Sequence, residues 1–159
     1  MSLDDWVLAL HVFSAFAFVT AVILFWILIV AVRRTDTAEA RIRMESVVRV
    51  GNAAFGIGSI GTIVLGIWLA LSVQGYDIWD GWIVAALVLW VVSMPFGRRT
   101  GEAYTRGVRK AQELESEGHT GPSEELLSVN RTSEGVLMHL LTSLVVLAIL
   151  VDMIWKPGA

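Results

Sequence analysis

Three titratable side chains interrupt apolar stretches of this 159-residue chain: His11, His139 and Asp152. An ionisable group in hydrocarbon is costly, so each is a functional candidate by default. A neutral imidazole in such a place can carry a proton or ligate a metal ion or a haem iron. His11 lies five residues after Trp6, and His139 lies sixteen residues before Trp155. With both tryptophans at one interface, a rise of 1.5 Å per residue puts the two histidines at depths of roughly 8 and 24 Å. A single metal ion cannot take both, because metal–imidazole bonds are about 2 Å long. They are two sites or none.

Asp152 precedes Trp155 by three residues and so falls near the level of His11. It is a candidate acceptor behind a cofactor ligand, orienting one ring nitrogen of His11 while the other faces the cofactor. Ser14 and Ala15 follow His11 by one turn, and Phe18 by two. Small residues and an aromatic edge beside an imidazole suit a flat cofactor such as haem b, and they suit ordinary helix packing equally. His139 is a candidate metal ligand or proton carrier, with Asn52, Ser93, Thr142 and Ser143 as candidate partners at its own depth. No catalytic residue is assigned. The chain has no H-E-x-x-H pattern and no P-loop, and nothing in it supplies an oxyanion hole for a set built from Ser14, His11 and Asp152.

Four apolar runs must position these residues, spanning about 6–32, 50–73, 79–96 and 136–155. The first, from Trp6 to Val32, has no Asp, Glu, Lys or Arg, and its length reaches roughly 40 Å against ~30 Å of hydrocarbon. Its flank, Met-Ser-Leu-Asp-Asp, is acidic and its apolar stretch too long for a cleaved leader, so it reads as a retained helix. Composition agrees: 55% of residues are hydrophobic, 17% are charged, and mean hydropathy is +0.67. That is too little charge to cover a water-soluble domain of this size. The expectation is an all-α, four-helix transmembrane bundle of left-handed packing, forming one domain over residues 1–159. Cysteine is absent, which excludes disulfides and thiolate metal sites. No basic stripe suggests nucleic-acid binding.

Arginine distribution sets the orientation. Residues 33–49 carry Arg33, Arg34, Arg41, Arg43 and Arg49, and residues 97–135 carry Arg98, Arg99, Arg106, Arg109, Lys110 and Arg131. The connection between the second and third runs carries Asp77 and Asp80 and no basic residue. The positive-inside rule then places both loops in the cytoplasm and both termini outside. Trp6, Tyr76, Trp79, Trp82 and Trp155 would form the outer aromatic belt. The loops themselves read as partly helical over 35–49 and 103–117. A break at Gly118 to Pro122 follows, and Ser123 starts another helix that could run into the fourth span. Pro95 is expected to end the third helix at its inner edge.

The second run holds Ala54, Gly58, Thr62, Gly66 and Ala70, a column of small residues four apart. Such a column lets a neighbouring backbone come close, within the chain or in a homo-oligomer. Gly56, Gly58 and Gly61 also match the dinucleotide pattern G-x-G-x-x-G, but without the preceding strand and water that a pyrophosphate needs. Asn130-Arg131-Thr132 matches a glycosylation acceptor on the side expected to be cytoplasmic.

Leu10-His11 before a long apolar helix, the Arg33-Arg34 pair after it, and Gly66-Ile67-Trp68-Leu69-Ala70-Leu71 in the second run resemble the DUF2269 group of predicted bacterial membrane proteins. The resemblance covers all four runs and implies a bacterial inner-membrane location, without implying an activity. The layout is more distantly similar to CopD-type and HemJ-type four-helix domains, which place a histidine at a position like His11. The HemJ-type likeness implies b-type haem on that histidine and porphyrinogen oxidation. That family's membrane-embedded lysine has no counterpart here, where Lys110 lies in a loop and Lys156 in the tail. The histidine-rich or methionine-rich segments of CopD-type copper handling are missing too. The expectation is therefore a small haem-binding or redox membrane protein using His11. The alternatives are a subunit of an oligomeric transporter for a small solute or ion, and a non-catalytic scaffold.

Overall fold

In the computed structural model, residues 2–157 are described, and among them the chain is helical with no strand. Helix α1 runs from Leu3 to Val32, α2 from Ala38 to Arg43, α3 from Glu45 to Ser72, α4 from Gly81 to Ser116, α5 from Glu124 to Asn130 and α6 from Ser133 to Trp155. Four of these segments are long and apolar enough to cross a membrane. Helix α1 begins where the sequence provides a reciprocal cap. The Ser2 hydroxyl accepts from the Asp5 amide, and the Asp5 carboxylate accepts from the Ser2 amide.

The long helices pack as two antiparallel pairs, α1 along α3 and α4 along α6. Phe18 and Val22 of α1 meet Val146 of α6 at mid-bundle. Near the chain termini, Ala70 of α3 meets Trp82 and Ile83 of α4, with Met153 of α6 against them. Two indole N–H groups cross between the pairs. Trp26 donates to the Ser143 hydroxyl (2.9 Å) and Trp90 to the Ser59 hydroxyl (2.8 Å). A hydroxyl partner satisfies an indole where no water reaches it. Outward-facing Phe13, Phe16, Ile57 and Leu71 stay exposed on the protein, as lipid-facing side chains do.

The third long helix departs from the sequence expectation, because Pro95 does not end it. Helix α4 continues through the proline for twenty-one further residues to Ser116. The ring removes one N–H, the donor to the Val91 carbonyl. Beyond it, packing holds the helix: Ala111 and Leu114 form a core with Ala38 of α2 and Leu126 of α5. Tertiary burial of a continuous apolar face outweighs one missing bond. The expected start at Ser123 is present, with its hydroxyl accepting from the Leu126 amide. The helix it starts stops at Asn130, and α6 begins afresh at Ser133. The loop segments thus form an ordered cap of α2, the second half of α4, and α5.

The small column is spent inside the chain at Gly58, Gly66 and Ala70. A Cβ on Gly58 would lie 2.5 Å from the Phe18 amide nitrogen and 2.9 Å from the Ser14 carbonyl, so α1 and α3 touch backbone to backbone there. Of the G-x-G-x-x-G match, Gly58 and Gly61 belong to this seam and Gly56 faces away from it.

Candidate functional site

The two histidines do different things. His139 is 3% exposed, and its Nε2 lies 3.0 Å from the Val22 carbonyl. A carbonyl only accepts, so Nε2 carries the proton. The ring packs edge-on against Trp26 and Phe25, at centroid distances of 4.9 and 6.1 Å. None of the partners expected for it is used by its ring: Ser143 donates to the His139 backbone carbonyl, Thr142 to the Met138 carbonyl, and Ser93 to the Trp90 carbonyl. Val22 follows His11 by eleven residues on α1, so the histidines sit about 16 Å apart along the bundle, as their spacing implies.

His11 of α1 packs against α3, where a Cβ on Gly66 would come 3.0 Å from its Cε1. Its Nδ1 is buried without a hydrogen-bond partner, and so is Oδ2 of Asp152. The His11–Asp152 hydrogen bond is not made. Ser14, expected to leave room for a flat cofactor, and Phe18, expected to line its edge, instead face α3: Ser14 Oγ would touch a Cβ on Gly61, and the Phe18 ring meets Phe55 at a tilt with centroids 4.9 Å apart. Ala15 is half-buried. Among the described residues, no group of three or more His, Cys, Asp or Glu side chains could hold a metal ion. Trp82, expected in an aromatic belt, is buried under Tyr76, with Lys156 Nζ above both rings and donating to the Tyr76 hydroxyl at 2.7 Å.

The largest arrangement of polar groups is at the opposite, arginine-rich end. There the four long helices line a cavity of about 410 Å³. Phe25, Leu28, Val48, Phe55 and Val136 line its apolar part, and Arg41, Tyr104, Asn130 and Glu45 its polar part. Arg41 is 0% exposed. Its Nε donates to Asn130 Oδ1 (3.2 Å), its NH2 donates to the Tyr104 carbonyl (2.9 Å), and the guanidinium stacks 3.9 Å above the Tyr104 ring. Asn130 in turn donates through Nδ2 to the Thr35 carbonyl at 2.9 Å, which pulls its side chain inward and explains the break between α5 and α6. Gly107 makes the space: a Cβ there would lie 2.7 Å from Asn130 Oδ1 and 3.0 Å from Arg41 NH2. Arg41 has no carboxylate within salt-bridge distance among the described residues, and its NH1 and the Tyr104 hydroxyl are buried without partners.

A family model described as a predicted integral membrane protein (DUF2269) matches residues 5–157. The chain belongs to the DUF2269 family. No curated protein and no solved structure matches it significantly. The match takes in all four long helices of this DUF2269 chain and every residue of the cavity wall. Sequence reasoning missed Arg41, Tyr104 and Asn130, because the positive-inside rule already accounted for the arginine. A signal was present in Gly107. It interrupts a polar helix with the residue that helices favour least after proline, which marks a close approach. The acceptor-like Asn130-Arg131-Thr132 triplet is explained as well: its amide is buried and bonded on both sides.

Proposed function

We propose that this DUF2269 protein resides in the bacterial inner membrane with its arginine-rich end in the cytoplasm, and that it holds a small amphipathic molecule in the cavity at that end. One observation carries the reading: a cavity of about 410 Å³ whose mostly apolar wall also holds Arg41, Tyr104, Asn130 and Glu45. Pockets of ~300–1,000 Å³ with a mostly apolar wall and a few convergent polar groups are the usual form of small-molecule sites. The place agrees with the orientation drawn from the arginines. It adjoins the inner leaflet, where a molecule with an apolar tail and a polar head is concentrated. Neither a reaction nor net transport is part of this reading.

The test uses Gly97, which lines the cavity and where a Cβ would meet nothing within 4 Å. Gly97→Phe fills space without forcing the helices apart. Native mass spectrometry of the purified protein titrated with dodecanol should show one bound molecule in the wild type and none in Gly97→Phe. Equal retention by both proteins, or by neither, would sink the proposal.

A second reading keeps haem b on His11 and is favoured by the buried Nδ1 that has no partner. Bound haem would supply one-electron chemistry, and His11 would be its only ligand from α1. The fit is partial, since α3 covers the side on which Ser14 and Phe18 lie. Haem titrated into wild type and His11→Ala should give a Soret band in the first alone. Indistinguishable spectra reject it.

A further inference from the structure

Burying a guanidinium is expensive, and the expense is repaid by an opposite charge in good geometry. Arg41 is fully buried and lacks that charge. Its neutral partners, Asn130 Oδ1 and the Tyr104 carbonyl, use Nε and NH2. NH1 is left over, and so is the hydroxyl of the tyrosine on which the guanidinium stacks. Both residues belong to the cavity wall. Glu45 lies one turn beyond Arg41 on the same wall without pairing with it, and Arg33 and Arg49 also line the cavity, so its charged residues sum to a positive wall. A guanidine cannot shed its proton to escape the penalty. Both donors are closed to water, so an oxyanion reaches them only when the stacked pair shifts toward the adjoining chamber. Two unsatisfied donors beside an apolar chamber then describe half of a binding site for an anion with a tail.

From this we infer that the cavity's ligand is an anionic amphiphile, a single hydrocarbon tail bearing an oxyanion head that accepts from Arg41 NH1 and the Tyr104 hydroxyl. The inference rests on the cavity reading above and adds the chemistry of the head. Asn130 and Gly107 are positioning residues: the amide holds the guanidinium by its Nε, and the glycine leaves room for it against α4. A neutral amphiphile of equal length would fill the apolar part but leave both donors unpaired.

The experiment compares dodecyl phosphate, dodecanol and inorganic phosphate on the full chain in detergent, counted by native mass spectrometry. Dodecyl phosphate should bind roughly tenfold or more tightly than dodecanol, the ratio expected for a charge-assisted hydrogen bond to a buried head. Arg41→Gln should remove that preference. Tyr104→Phe keeps the stacking ring and removes only the hydroxyl, so it should lower dodecyl phosphate binding several-fold even if Arg41→Gln fails to fold. Equal binding of dodecanol and dodecyl phosphate, or a preference that survives Tyr104→Phe unchanged, overturns the anionic head and leaves the cavity reading standing. Inorganic phosphate binding as tightly as dodecyl phosphate overturns the tail while keeping the oxyanion. Failure of both amphiphiles to bind overturns the two readings together.

Discussion

The two ends of the molecule bury polar groups by different rules. In the membrane-spanning half three neutral side chains each meet one partner on another helix, Trp26 on Ser143, Trp90 on Ser59 and His139 on Val22, while His11 Nδ1, Trp82 Nε1 and Asp152 Oδ2 are buried without one. At the arginine-rich end a full positive charge is buried among amide, carbonyl and aromatic groups, with no carboxylate against it. The first half is built to hold helices together where lipid gives no hydrophobic drive between them. The second carries a charge that packing alone does not require. The proposed ligand site rests on this contrast.

The seam between α1 and α3 is the sharpest place to break the membrane half. Gly58→Ala puts a methyl within 3 Å of the backbone of Phe18 and Ser14, atoms that move only if the helices separate. The expected cost is about 3 kcal/mol, the upper range for overpacking a tight core. Gly56→Ala, two residues away, meets nothing within 4 Å and should be neutral or stabilising by up to about 1 kcal/mol through helix propensity. Unfolding in mixed micelles, followed by circular dichroism, measures both. Equal effects would mean that the close approach is not what holds the pair.

The cap is tested through Asn130. Asn130→Ala leaves Arg41 Nε and the Thr35 carbonyl without partners and should cost about 2 kcal/mol, within the range for stranded buried polar groups. Asn130→Asp loses the donation to Thr35 but brings a negative charge to Arg41. If the guanidinium is uncompensated, the aspartate variant is the more stable of the two in the same assay. An aspartate as damaging as the alanine would mean that Arg41 already has its counter-charge, and the contrast between the two ends would fade.

How much of this was legible follows from what each signal depends on. The four spans, the Ser2 and Ser123 starts and the small column are properties of one helix at a time, so length, caps and spacing revealed them. That Gly58 would serve α1, and that α4 would run through Pro95, depend on which helix lies alongside, which spacing cannot supply. His11 and His139 stand out as imidazoles in apolar runs; His139 is buried in the bundle and His11 half-buried. The cap was opaque for another reason. Its arginine lies among others that topology already accounted for, and its asparagine lies in a turn-like triplet. Only their meeting across eighty-nine residues of sequence makes either one unusual.

The histidines extend the comparison at smaller scale. His139→Leu gives up the bond to Val22 and leaves that carbonyl with a hydrophobic neighbour, an expected loss of about 1 kcal/mol. His11→Leu removes a ring whose Nδ1 is already unsatisfied, so the loss should be smaller or absent. Thermal unfolding of the two variants side by side gives the order. A His11 variant that is the less stable one would show that its free nitrogen has a partner in the membrane, and would turn attention back to a ligand there.

The smallest effect belongs to the two indoles. Trp26→Phe and Trp90→Phe each remove one N–H donation to a serine and keep most of the aromatic area. Interhelical hydrogen bonds in membranes average only about 0.6 kcal/mol, because the separated helices find other partners for the same groups. Each variant should therefore lose about that much, and the double variant about twice as much, since the indoles sit on different helices and use different serines. A coupled loss well beyond the sum would mean that the two helix pairs lock as one unit through these bonds. An additive loss means that each bond joins its own two helices independently of the other.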